Sequence, residues 1–483
     1  MNSIKLNRMH QSLLSLGVLV IGCFIGWNWV LPADDALITQ RYVLNYLEYG
    51  EPYFNRNDGV MGFSSPAYFL ILSALSWVFS VEVAYKLIAS LSYIATGVIL
   101  FFLLPHSAGS KKIWFLVIFS GNLHILYWFF SGLESFFIPL FALLTVLAVT
   151  KRSGPLLILV LSISVFFRPE SWIALLPIML VGVYSTIRQH SEQTWQLSKR
   201  NLTVASAVSF GIATSIIVFI ITQFDNLIPM SVQAKSVVPY TLTSDIIEEF
   251  AAEIIAPINL PIPFGYVFGI GVFALIGVAN YTRFRTIDQL PLMRIVIVSG
   301  LLFALYLLLS GASIYEWHYA FISMVAVYAL IGFAQSLSYK RNIIQVPVLI
   351  LVIFSLAWSG FEYGTSKNQR INDFYIDQMQ VVGEFISKNY EKDLIVVSSS
   401  TGYFGAVTRD FEVHDSLGLV TPELIDARKK NPNAKIVEVI DWDLFLCSSS
   451  DTSDDALADC LINTEDGKLV QNFGNMWLIE RKY

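Results

Sequence analysis

The stretch WVLPADDALITQRYVLNYLEYG, residues 29–50, decides how the rest of the chain is read. Before it, residues 13–30 form an apolar run preceded by Lys5 and Arg8. That run is longer than the ~7–15 residues of a cleavable signal core, and no small-x-small site closes it. It ends in Trp27 and Trp29, as a permanent span does where it meets the headgroups. Two adjacent carboxylates, Asp34 and Asp35, follow at once, and then a segment that reads as an interfacial helix. Ionisable groups at a membrane face are expensive to keep and point to function.

Composition extends that reading to the whole chain. Of 483 residues, 55% are hydrophobic and 14% charged, where an average soluble domain carries roughly 25% charged residues. Apolar runs near the ~20 residues needed to cross a bilayer recur along the first three quarters of the sequence. Such runs satisfy their backbone groups internally, as helices. The expected class is a polytopic α-helical membrane protein. The net charge of -6 says little, because the placement of charge matters more than its sum. No basic tract, internal repeat or low-complexity segment stands out, so nucleic acid is not an expected partner.

Candidate spans fall at 12–31, 84–104, 113–130, 135–150, 154–167, 171–187, 203–222, 264–281, 292–310, 318–335 and 343–360. A further apolar piece, 66–80 (PAYFLILSALSWVFS), decides the facing of everything after it. If it does not span, Lys5, Arg8, Lys111, Lys112, Lys151, Arg152, Arg188, Lys199, Arg200, Arg283, Arg285, Lys340 and Arg341 share one side, which the positive-inside rule makes cytoplasmic. If it spans, every basic group after the first pair moves out. The expectation is therefore about eleven spans, with 66–80 a re-entrant or interfacial helix in a first external loop, 32–83. The N-terminus lies inside. Residues 1–361 form the membrane domain, and residues 362–483 form an extracytoplasmic α/β domain.

That second domain carries charge freely. It shows strand-like runs at 394–400 (LIVVSSS) and 435–440 (KIVEVI), and helical spacing over 374–388. NPNAK and EDG read as turns. Cys447 and Cys460 lie in it, in an oxidising compartment, at a spacing compatible with a disulfide. Cys23 is in the first span.

The topology gathers Asp34, Asp35, Arg41, Glu134, Arg168, Glu170, Lys235, Glu316 and His318 at the external face. No phosphate-binding glycine loop, Ser-His-Asp order or metal-spaced His/Cys set accompanies them. Carboxylates opposite scattered cations suit transfer from a lipid-linked donor. A carboxylate takes the proton of an acceptor hydroxyl while cations hold a phosphate leaving group. Neighbouring residues on a helix point about 100° apart, so Asp34 and Asp35 do not both reach one atom. One is the base and the other caps the helix beginning near Ala36, or both are caps. Arg41 and Asn45 either face the cavity or pin the loop. Glu134 either opposes a helix dipole or serves the site, and Arg168 and Glu170 either pair with each other or meet substrate. Lys235 is a solvated loop lysine or serves the site, and His318, with Glu316 in YEWHY, is interface decoration beside an aromatic belt or a phosphate ligand.

Several segments resemble a known superfamily. DDALITQRYVLNYLEYGEPYFNRNDGVMGFSSPAYFLILSAL (34–75) is similar to the first external loop of GT-C glycosyltransferases, polytopic enzymes using polyprenyl-phosphate sugars. The arabinofuranosyltransferase-like branch is the best match. SGLESFF (131–137), FFRPESW (166–172) and TGYFGAVTRDFEVHDSLGLVTPE (401–423) match further segments of that branch in order, and NLIPMSVQAK (226–235) matches more weakly. The resemblance implies catalytic roles for Asp34 and Asp35, favouring Asp34 as base. It implies substrate binding by Arg41, Asn45, Glu134, Arg168, Glu170, Lys235 and His318. Ser64, Asn57, Asp58 and Ser171 depart from the branch's usual residues, which bears on sugar and acceptor more than on reaction. The implied donor is a polyprenyl-phosphate sugar, with arabinofuranose the first candidate. The acceptor is a cell-wall glycan, lipopolysaccharide or surface protein at a bacterial inner membrane. Nothing in the pattern requires a metal, and a divalent cation stays open. GYFG (402–405) and Asp415 are expected to shape the external domain. The competing reading is a transporter or flippase, which usually shows repeated halves and midplane charges rather than acids at one face.

Overall fold

The computed structural model describes residues 2–56, 58–103, 111–188, 198–237, 371–392, 394–431, 434–448, 467–473 and 476–482, with positions 299–300, 302–303, 365 and 369. Helix α1 (Asn2–Trp29) carries the first apolar run, and α2 (Asp34–Tyr49) follows after a short extended link. Helix α3 (Pro66–Ser76) has 11 residues and begins on its proline. At ~1.5 Å per residue it is about half the ~30 Å of a bilayer core, so it does not cross.

Among the described residues three helices are long and apolar enough to span: His10–Trp29 of α1, α4 (Val81–Leu103) and α10 (Lys199–Gln223). A bent pair adds a fourth if counted as one. The expected single span 113–130 is divided into α5 (Lys111–Gly121) and α6 (Leu123–Phe130). The break has a local cause: Asn122 accepts the Ile125 amide at 3.1 Å and starts a new helix. After α6 the chain turns by 111° into Glu134–Thr150, which contains α7 (Phe137–Thr150). Gly132 makes that corner at φ +80, where a side chain would be strained. Helices α8 (Gly154–Phe167) and α9 (Ser171–Arg188) pack against α7, and α11 (Met230–Val237) follows α10. The last four expected spans fall almost wholly outside the described residues. The protein is a multi-pass helical membrane protein.

The C-terminal unit is an α/β layer. A wide-wound segment, Asn372–Met379, leads into α12 (Gln380–Asn389). Next come β1 (Ile395–Ser398), α13 (Thr401–Val407), β2 (Glu412–Asp415), α14 (Pro422–Lys430), α15 (Ile436–Val439), β3 (Leu444–Ser448), β4 (Gly467–Asn472) and β5 (Met476–Arg481). The sheet order is β2-β1-β3-β5-β4, with β1 parallel to β2 and β3 and the remaining pairs antiparallel. The KIVEVI run, expected as a strand, is the single turn α15. Glu438 accepts the Lys435 amide at 3.3 Å and closes that turn. Ile436 packs with Leu424, Trp442 and Trp477 on one side of the sheet. Cys447 is disulfide-bonded and Cys23 is free; Cys460 lies outside the described residues.

The two parts share one buried apolar cluster. Tyr42, Phe54 and Phe63 from the α2 region join Phe404, Phe411, Val413 and Leu419 from the C-terminal unit within it. Helix α13 of the C-terminal unit packs directly against α2.

Candidate active site

Helix α2 starts at Asp34 with Ala33 as its N-cap, and no side chain caps it. The expectation that one acid caps a helix beginning near Ala36 is therefore corrected. Both acids lie in the first turn, where the helix dipole favours a negative charge. The Ala33 amide donates to the Ser131 carbonyl at 2.9 Å, which fixes the approach of the chain.

The two acids diverge. Asp34 Oδ1 accepts the Tyr403 amide at 2.6 Å, and the Tyr403 hydroxyl donates to the Pro32 carbonyl at 3.2 Å. A Cβ on Gly402 would stand 1.8 Å from the Asp34 carbonyl oxygen, so only glycine fits. Burial and the neighbouring Asp35 push Asp34 up to about 7, against the hydrogen bonds from Tyr403 and Gly402 that favour its anion. Asp35 lines a cleft of about 380 Å³, open mouth included.

Asp35, Ile38 and Thr39 form one wall of the cleft, and Phe63 and Ser64 the next. Leu133, Glu134 and Arg168 form the third, and Ser231 and Leu419 close it. Arg168 is 3% exposed and Glu134 6%. Arg168 Nη1 meets Glu170 at 2.9 Å, while its Nε stands 3.3 Å from Glu134 without hydrogen-bond alignment. Ser64 donates to the same Glu134 oxygen at 3.0 Å. Burial opposes the charge on Arg168, but Glu134 and Glu170 outweigh it and raise its pKa. The corner that presents Glu134 is held by Tyr68, whose hydroxyl donates to the Gly132 carbonyl at 2.9 Å.

No protein-family model matches the sequence, and no curated protein is similar to it by sequence. Solved structures do match in shape. ArnT from Cupriavidus metallidurans bound to undecaprenyl phosphate superposes with a TM-score of 0.58 at 10% identity, over 97% of each chain. The apo state of the same protein gives 0.58 at 11% identity over 98% of each chain. ArnT is a GT-C glycosyltransferase. The fold is of the GT-C type.

Within this GT-C fold the expected site residues separate into three groups. Asp35, Glu134 and Arg168 come together at the cleft, and Glu170 reaches it through Arg168. Arg41 and Asn45, expected to bind substrate, do not. Arg41 is 2% exposed and its guanidinium donates to the carbonyls of Phe54 (2.9 Å), Gly405 (3.1 Å) and Phe411 (2.8 Å). It also lies 4.4 Å over the Phe54 ring. Burial and Arg409 draw its pKa down to about 10, so it remains charged at neutral pH. Asn45 donates to the Tyr53 and Phe54 carbonyls at 2.8 and 3.0 Å. Both residues pin the loop. Lys235 is in α11, one turn from Ser231, and its side chain lies outside the described residues, as do Glu316 and His318.

The Thr39, Ser231 and Leu419 contributions were not anticipated. Thr39 follows Asp35 by one helical turn, so helical spacing alone carried that signal. Ser231 precedes Lys235 by a turn inside the weakly matching segment. Leu419 sits in a turn built by Asp415, whose carboxylate accepts the amides of Leu417, Leu419 and Val420 at 3.2, 2.8 and 2.9 Å. Among the described residues, no three His, Cys, Asp or Glu side chains converge as a metal-binding group.

Proposed function

We propose that the protein is a glycosyltransferase moving a sugar from a polyprenyl-phosphate donor to a hydroxyl acceptor, with Asp35, which lines the cleft, as the base in place of the Asp34 that the resemblance favours. The observation that carries the reading is the cleft that joins Asp35 to Glu134 and Arg168 just after the first span. Asp35 takes the acceptor proton as the new oxygen–carbon bond forms at the anomeric centre. The bond from that carbon to the phosphate oxygen breaks on the opposite side, so configuration inverts and polyprenyl phosphate leaves. Arg168, with its misaligned Nε, faces the departing phosphate, and Glu134 and Glu170 fix its plane. Lys235 and His318 are assigned to the same phosphate.

Undecaprenyl phosphate in the ArnT structure supports a polyprenyl carrier. The sequence motifs favour arabinofuranose as the sugar and a cell-wall glycan, lipopolysaccharide or surface protein as acceptor. The distribution of lysine and arginine supports a bacterial inner membrane with the N-terminus cytoplasmic and the cleft and C-terminal unit beyond it. The test is to incubate membranes with radiolabelled polyprenyl-phosphate arabinofuranose or hexoses and follow label into macromolecules. Transfer by wild type and its loss in Asp35→Asn support the reading. Wild-type membranes that move no sugar, or full transfer by Asp35→Asn, overturn it.

A further inference from the structure

Of the paired acids, Asp35 lines the cleft and Asp34 does not. Asp34 is instead gripped by the C-terminal unit. It accepts the Tyr403 amide, its own carbonyl fills the place of a Gly402 side chain, and Tyr403 reaches back to Pro32. On the other flank Ala33 is tied to Ser131, next to the Gly132 corner that presents Glu134. The first turn of α2 is thus held from two sides, by segments about 100 and 370 residues away in sequence. The same C-terminal unit lends Leu419 to the cleft.

We infer that Asp34 is a positioning residue: by accepting the Tyr403 amide it locks the C-terminal unit onto α2 and keeps Asp35 turned into the cleft, which makes that unit an integral part of the active site. The inference rests on the glycosyl-transfer reading above for its kinetic tests, though not for its structural one. Charged groups facing Asp34 are Asp35 on its own helix and Asp415 from the turn of the C-terminal unit; Arg168 in turn faces Asp35. Burial and the neighbouring Asp35 hold Asp34 protonated up to about pH 7. Once ionised, Asp34 makes Asp35 more proton-hungry and binds the Tyr403 amide more strongly. The rate therefore rises by a step near pH 7, as Asp34 ionises.

The experiment uses full-length protein in nanodiscs and compares Asp34→Asn, Asp34→Ala and Asp35→Asn. An asparagine oxygen still accepts the Tyr403 amide but cannot ionise. Asp34→Asn should keep kcat within about tenfold of wild type and lose the step near pH 7, whereas Asp34→Ala should fall by about a hundredfold. Amide exchange at Tyr403 should speed up in Asp34→Ala and not in Asp34→Asn. The inference is overturned if Asp34→Asn is as inactive as Asp35→Asn, if the step near pH 7 survives in it, or if exchange at Tyr403 ignores Asp34→Ala. Wild-type protein that transfers no sugar would sink the proposed function alone, because exchange at Tyr403 still decides the lock.

Discussion

Two arginines are buried to nearly the same depth, and they do opposite things. Arg41 is 2% exposed and Arg168 3%. Arg41 gives its donors to the backbone carbonyls of Phe54, Gly405 and Phe411 and to the side-chain oxygen of Asn55, with an aromatic ring beneath it. Carbonyls neither titrate nor move with substrate, so this knot only holds. Arg168 is flanked by two carboxylates, with its Nε out of hydrogen-bond alignment, beside an open cleft. Depth of burial therefore does not distinguish a clamp from a site residue. The chemistry of the partners does.

The sharpest way to break this contrast is at the cleft. Asp35→Asn should lower kcat for sugar transfer by about 10²–10⁴-fold, the usual share of a general base, with the donor KM little changed. A steady-state assay with labelled donor reads it. Arg168→Met should cost about 3–5 kcal/mol, because it strands Glu134 beside Ser64 as a buried charge. It should also raise the donor KM, and Arg168→Lys should restore the fold better than the KM. Thermal unfolding in detergent together with the assay separates the two effects.

Arg41→Met should cost about 2–3 kcal/mol by leaving buried carbonyls without donors. The folded fraction should keep the wild-type donor KM. A raised KM with an unchanged melting temperature would reverse the assignment of the two arginines.

The pH dependence adds a smaller effect. Asp34 titrates at about 7 in the fold instead of 3.8, so the folded state holds its proton more tightly than the unfolded chain. That stabilisation is complete below about pH 4 and is lost as pH rises through about 7. The wild-type melting temperature should fall over that window, and that of Asp34→Asn should vary less. Ser64→Ala should cost about 1 kcal/mol or less, one side-chain hydrogen bond to Glu134.

Much of the architecture was legible locally. The aromatic end of α1, the acids after it and the shortness of α3 are properties of consecutive residues, so hydropathy and length expose them. The breaks were less legible. A run as apolar as 113–130 hides the cap at Asn122, although a Gly-Asn pair stands there. KIVEVI has strand chemistry, yet a capping contact from Glu438 and burial of Ile436 beside Trp442 and Trp477 settle it as a turn of helix.

By itself the sequence determined a helical membrane chain with acids at the mouth of its first span and a small α/β unit at its end, because bilayer thickness and residue periodicity act on neighbours along the chain. Only the tertiary structure decided which acid and which arginine belong to the cleft. The partners that make the difference lie far away: the Tyr403 amide is 369 residues from Asp34, and the Gly405 carbonyl is 364 from Arg41. No local pattern encodes those meetings, since they exist only once the C-terminal unit has packed onto α2.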